Sequence, residues 1–196
     1  MSQALDFTCG PAALIRFLNW RGSSIANNLG NQIRIWRTAN TVYMGQGPAG
    51  CDAAGLVKAA EEFGESANLL RTKPDFSFAS TVRDHERRAV IRLAEREHLA
   101  FANGLGRVCV CKDMREALAI VGHRPMLLLC SMRAYSMSNV HHWIACRPRG
   151  KGSELYDPST GQYEAALDQA FFKNITEKGI ETALQAYSKY FIDIIY

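Results

Sequence analysis

The stretch HHWIACRPRGKGSELYDP, residues 141–158, decides how this chain folds. It holds two strand-like runs, HHWIACRP and SELYD, parted by the glycine-bearing RGKG, which is the pattern of a β-hairpin. With Arg149 and Gly150 as central turn residues, cross-strand partners have numbers summing to 299. His142 then lies opposite Asp157 on one face of the ribbon, with Cβ atoms about 4.5–5.5 Å apart. His141 lies opposite Pro158, which has no side-chain acceptor. A carboxylate that accepts the His142 Nδ1–H would hold the ring as a general base. A slip of one residue would break this pairing.

Further strands follow the same reading. RVCVC (107–111), PMLLLCSM (125–132) and KYFIDIIY (189–196) are apolar runs of strand length, and DMREALAIV (113–121) is a short helix between the first two. The first half is helical instead. Residues 10–21 carry Leu14, Phe17 and Leu18 on one stripe, with Pro11 at the first helical position and Gly22 as a stop. A second helix covers 28–38, with Leu29, Ile33, Trp36 and Arg37 at helical spacing. YMGQGPAGC (43–51) is a loop. Asp52 N-caps a third helix, 53–63, which turns Leu56, Val57, Ala60 and Phe63 inward and ends at Gly64. A short strand falls near 66–71. Residues 80–102, starting at Ser80, form an amphipathic helix whose buried side is Ala89, Val90, Leu93 and Ala94. The charges of DHERR and EREH make its solvated face. Helices first and strands after predict an α+β fold, with N-terminal helices packed on a C-terminal antiparallel sheet. No repeat or linker divides the chain, so 1–196 reads as a single domain.

Composition narrows the function classes. The 196 residues carry a net charge of +4, spread along the chain, which argues against nucleic acid. No apolar run reaches the roughly 18 residues of a membrane span. The opening MSQALDFTCG has neither a basic nor an apolar signal segment, so a cytoplasmic, reducing compartment is expected. The six cysteines, Cys9, Cys51, Cys109, Cys111, Cys130 and Cys146, are then thiols. Cys109, Cys111, Cys130 and Cys146 lie in strand-like runs and read as core residues. There is no CxxC or HxxxH pair, so no metal and no cofactor is called for.

Cys9 is different. In DFTCGPAAL (6–14) it stands at the mouth of an apolar helix, where first-turn N–H groups and the helix dipole favour a thiolate. A thiolate nucleophile needs a base, an orienting group and oxyanion donors. Of the five histidines, His85 and His98 fall on the charged helix facing solvent and His123 falls in a turn, which leaves His141 and His142. Adjacent strand residues face opposite ways, so one of the two is the base; the hairpin favours His142 and makes His141 a bystander. Oxyanion donors are the Cys9 backbone N–H and the Gln3 side-chain amide. Cys51, before the third helix, reads as structural, and Trp143 as packing beside the base.

Together, Gln3-x5-Cys9-Gly10-Pro11-Ala12, His142-Trp143 and Asp157-Pro158 resemble the papain-like cysteine peptidases. Among these the chain is most similar to the bacteriocin-processing peptidases (peptidase family thirty-nine), whose best-known members remove double-glycine leaders within ABC exporters. It is closer still to a stand-alone "bacteriocin-peptidase-like" bacterial branch with a TCGPA start, an RxWR…T…M…G…GC middle and an HW…DP end. Here these are TCGPA, IRIWRTANTVYMGQGPAGCDAAGL, HHW and YDP, so the resemblance covers roughly residues 1–165. It implies a papain-like fold, Cys9 as nucleophile, His142 as base, Asp157 as orienting acid and Gln3 as oxyanion donor. His141 stands where the family often has proline, and no ATP-binding or membrane domain follows. Some relatives are fused to, or encoded beside, acetyltransferases or ATP-grasp ligases, which suggests a functional partner of that kind. The expected function is a cysteine peptidase or amide hydrolase acting through a thioester on a peptide or amide substrate. The alternatives are an acyltransferase on the same scaffold and a catalytically silent peptide-binding relative; the intact Cys-His-Asp-Gln set counts against the last.

Overall fold

Three side chains fix where helices begin. Asn28, Asp52 and Asp113 are extended N-caps whose side chains accept from Asn31 N, Gly55 N and Glu116 N. Each satisfies a first-turn N–H that has no intrahelical partner. In this computed structural model the described residues are 2–40, 50–72, 85–131, 141–149, 152–159 and 191–196. In chain order their elements are α1 (Cys9–Trp20), α2 (Leu29–Ala39), α3 (Ala53–Glu62), β1 (Leu69–Arg71), α4 (His85–Gly104), β2 (Val108–Val110), α5 (Met114–Val121), β3 (Met126–Ser131), β4 (His141–Arg149), β5 (Gly152–Tyr156) and β6 (Phe191–Ile195). The expected loop at 43–51 lies outside the described residues as far as 49, and so does the expected helix start at Ser80.

The fold is α+β. Six strands make one sheet in the order β2-β1-β6-β3-β4-β5. Four of the pairings are antiparallel, as expected; β1 and β2 run parallel, so the sheet is mixed. Both faces are covered. Leu127, Leu129, Trp143, Ala145 and Ile195 pack with α1, α2 and α3. Leu128, Ile144, Cys146 and Ile194 pack with Met114, Ala117, Leu118 and Val121 of α5. A strand buried on both sides has no polar face, which explains the unbroken MLLLC run. No helix among the described residues is long and apolar enough to cross a membrane.

Some expectations need correction. Pro11 is the third residue of α1, not the first, but it is still within the first turn, where a missing N–H costs nothing. On α4, Ala89, Val90 and Leu93 are exposed, Leu93 to 60%. The buried face is Ile91, His98 and Ala102, and His98 does not face solvent. The inward stripe is narrow and polar at its centre, so counting apolar residues picked the wrong side. Cys109 is exposed because β2 is an edge strand; Cys111 and Cys146 are buried as expected. The side chain of Cys130 lies outside the described residues.

The hairpin register also differs. Ala145 pairs with Tyr156 and Arg149 with Gly152, so partners sum to 301 rather than 299. The centre of the register is one position later than expected, and His142 lies beyond the last β4–β5 pair. A shift of two in the sum preserves strand parity, so His142 and Asp157 still share a side.

Candidate active site

Cys9 opens α1 in a first turn, Cys9-Gly10-Pro11-Ala12, whose residues are all buried. Gly10 is there for space. A Cβ on it would lie 3.1 Å from the Trp143 ring and 3.2 Å from the Cys51 side chain. The absence of that Cβ lets the nucleophile's end of α1 lie directly on β4. Trp143 is fixed in turn by its indole N–H, which donates to Cys51 O at 2.9 Å.

His142 Nε2 donates to Asp157 Oδ1 at 2.8 Å, and the same oxygen accepts from Ser159 N at 2.8 Å and Ser159 Oγ at 2.7 Å. The carboxylate therefore holds Nε2, not Nδ1 as the hairpin reading expected, and Nδ1 is the ring nitrogen left for the thiol. His142 shares the parity of Ile144 and Cys146, which pack against α5. It nevertheless hydrogen-bonds Cys9. It can do so because it stands at the start of β4, beyond the β5 pairing, beside the first turn of α1. Position at the strand end, not alternation alone, brings it to the thiol. The His141 side chain lies outside the described residues.

The three groups shift each other's protonation in one direction. Burial pushes the Cys9 thiol up, but hydrogen bonding and charge from His142, with backbone groups of Trp143 and Gly10, outweigh it and hold the thiol below its ordinary value. Burial pushes His142 down, but Asp157 and the Cys9 thiolate raise it to about 10. Burial raises Asp157, and hydrogen bonds from His142 and Ser159 bring it below the usual carboxylate range. All three shifts favour a thiolate–imidazolium pair over a carboxylate. Cys51 is the opposite case: burial, then the charges of Cys9 and Asp52, push its thiol well up. That disfavours its thiolate.

Gln3 is tied to the same place. Its backbone N–H donates to Pro158 O at 2.7 Å, joining the N-terminal segment to the residue after Asp157. Its Oε1 is buried without a hydrogen-bond partner among the described residues. Two residues that the sequence reading passed over support this arrangement. Gln32, 1% exposed on α2, accepts from Ala4 N and Thr8 Oγ1 and donates to Ser2 O, so it braces the segment that carries Gln3. His98 Nδ1 bonds Asp52 Oδ2 at 2.5 Å, and Asp52 Oδ1 caps α3 directly after Cys51. A polar residue set among apolar ones on the inward face of a helix was the available signal for both. Gly55 makes room for this pair, since a Cβ there would lie 2.7 Å from Ala39 O and 2.8 Å from His98 Nδ1.

The arrangement offers a charged sulfur nucleophile, a proton donor beside it and a fixed orienter, at a helix N-terminus whose N–H groups face developing negative charge. Among the described residues no group of His, Cys, Asp and Glu could hold a metal ion. No curated protein and no solved structure gives a significant match to the chain. A family model described as "Peptidase_C39 like family" matches residues 1–172. Spanning Cys9, His142 and Asp157 alike, that match makes the chain a member of the Peptidase_C39 like family.

Proposed function

We propose that this protein is a thiol-dependent peptidase or amide hydrolase with Cys9 as nucleophile, His142 as acid and base, Asp157 as orienting carboxylate and Gln3 as oxyanion donor. The observation that carries the reading is the hydrogen-bonded series Cys9–His142–Asp157 at the N-terminus of α1. In the first step Cys9 Sγ bonds to the carbonyl carbon, and the oxyanion is met by the Cys9 N–H and the Gln3 amide. The C–N bond then breaks, the amine leaves with the proton from His142 Nδ1, and a thioester remains. Neutral His142 next takes a proton from water as the water oxygen attacks the thioester. The C–S bond breaks, the acid departs, and the ion pair is restored. Asp157 stays ionised throughout and keeps Nε2 occupied, so Nδ1 is always the working nitrogen.

Within the family, the Gln3-to-Cys9 spacing, His142-Trp143 and Asp157-Pro158 favour the stand-alone bacteriocin-peptidase-like branch, and hence a peptide as acyl donor. A peptide vinyl sulfone tests the reading. One adduct should form on the folded protein, map to Cys9, and vanish in Cys9→Ala and His142→Ala. An adduct on Cys51 or Cys109, or none at all, refutes it.

A further inference from the structure

At the other end of α1, about 16 Å along the helix axis from Cys9, Trp20, Arg21, Asn68, Arg124, Pro125 and Tyr196 line a cavity of about 320 Å³. The geometry points to a second ligand site here, for a small organic anion that carries a phosphate or carboxylate on a planar body. Two of the six lining residues are arginines and none has an acidic side chain. Neither arginine is in an ion pair with a described residue, and both are held in place. Arg21 donates to Ser66 O at 2.6 Å and lies over the Phe17 ring. Arg124 donates from Nε to Val121 O at 2.7 Å, donates from a terminal nitrogen to Ile120 O, and stands 4.2 Å from the centre of the Tyr196 ring. A guanidinium has five N–H groups, so each keeps donors for an oxyanion while its position is already fixed.

Arg16 and Arg147 stand against the Trp20 ring, at 5.8 and 4.9 Å from its centre, and Arg147 is paired with Glu154 at 2.6 Å, so the positive charge offered at the cavity is that of Arg21 and Arg124. The helix dipole at this end opposes an anion. Its effect is muted, because the N–H groups of Arg21, Gly22 and Ser23 already return to Leu18 O and Asn19 O. The volume is at the small end of ligand cavities, and Trp20, Tyr196 and Pro125 supply the apolar walls for a ring.

Calorimetric titration of the full chain with phenyl phosphate, benzoate and phenol tests the site. Phenyl phosphate or benzoate should bind one to one and weaken as salt is raised, and comparing the two anions identifies which oxyanion is preferred. Phenol should give no saturable heat. Arg124→Gln should weaken the anion at least tenfold. Because Arg124 also holds the last carbonyls of α5, Arg21→Gln is the second variant: it leaves α5 untouched and should weaken binding roughly three- to tenfold. Cys9→Ala should leave binding unchanged, separating this site from the thiol. Saturable binding of phenol, no binding of either anion, equal affinity in Arg21→Gln/Arg124→Gln, or loss of binding in Cys9→Ala would each overturn the assignment.

Discussion

Removing the His142 imidazole should turn Cys9 from a reactive thiolate into a buried, inert thiol. In the native site burial alone would raise the thiol, and His142 supplies the hydrogen bond and charge that reverse the sign. In His142→Ala only the backbone groups of Trp143 and Gly10 remain to oppose burial, the largest single influence, so the thiol should titrate at a higher pH than in the native protein. The assay is the rate of iodoacetamide alkylation of Cys9 from pH 4 to 10, read by peptide mass in a Cys109→Ser background that removes the exposed competing thiol. The native protein should label Cys9 at a lower pH than His142→Ala does and hold a plateau until the imidazolium is lost near pH 10. The His142→Ala rate should climb tenfold per pH unit through the whole neutral range. Below both titrations, each tenfold gap between the curves corresponds to about 1.4 kcal/mol of lost thiolate stabilisation. His141→Ala should overlay the native curve. If His142→Ala overlays it and His141→Ala does not, the pairing of thiol and base is wrong.

Asp157→Asn should fold but release His142 from its charge partner, so the upper end of that plateau should move below pH 10, with weak residual turnover. Gln3→Ala should lower kcat by roughly 10²–10³ and weaken a peptide aldehyde, whose adduct carries the oxyanion, while the thermal midpoint stays put. Gln32→Leu should loosen the segment held at Ser2, Ala4 and Thr8; kcat should fall with the Cys9 alkylation profile unchanged, and hydrogen exchange should rise across residues 2–8. Asp52→Ala removes a helix cap and leaves His98 buried without its acceptor, so urea unfolding should show a loss of about 2–4 kcal/mol, and Asp52→Asn should lose much less.

The sequence was most legible where one residue type has few reasons to stand. A cysteine before Gly-Pro-Ala at a helix start, and a histidine and an aspartate flanking a glycine turn, led to three groups that the structure brings together. The hairpin arithmetic missed the register by two in the sum yet kept the pair, because strand parity survives that shift. It could not tell Nε2 from Nδ1, since that depends on ring orientation at a strand end and not on numbering. Gln32 escaped notice, and His98 was set aside as solvent-facing, because each is one polar residue on a helix face otherwise judged by its apolar members. The parallel β1–β2 pair escaped because three-residue strands carry almost no periodicity.

The place of β6 in the sheet has a kinetic consequence. Residues 191–195 lie between β1 and β3, so strands from the helical part of the chain meet the β3–β4–β5 hairpins only through the segment made after them. Cys9 and His142 are also more than 130 residues apart in the chain. A nascent polypeptide therefore displays an ordinary thiol through most of its synthesis, and acquires a reactive one only when its longest-range contacts close. On the proposed mechanism the chemistry is switched on only once these contacts form, and the onset of Cys9 alkylation during refolding would serve as a clock for that step.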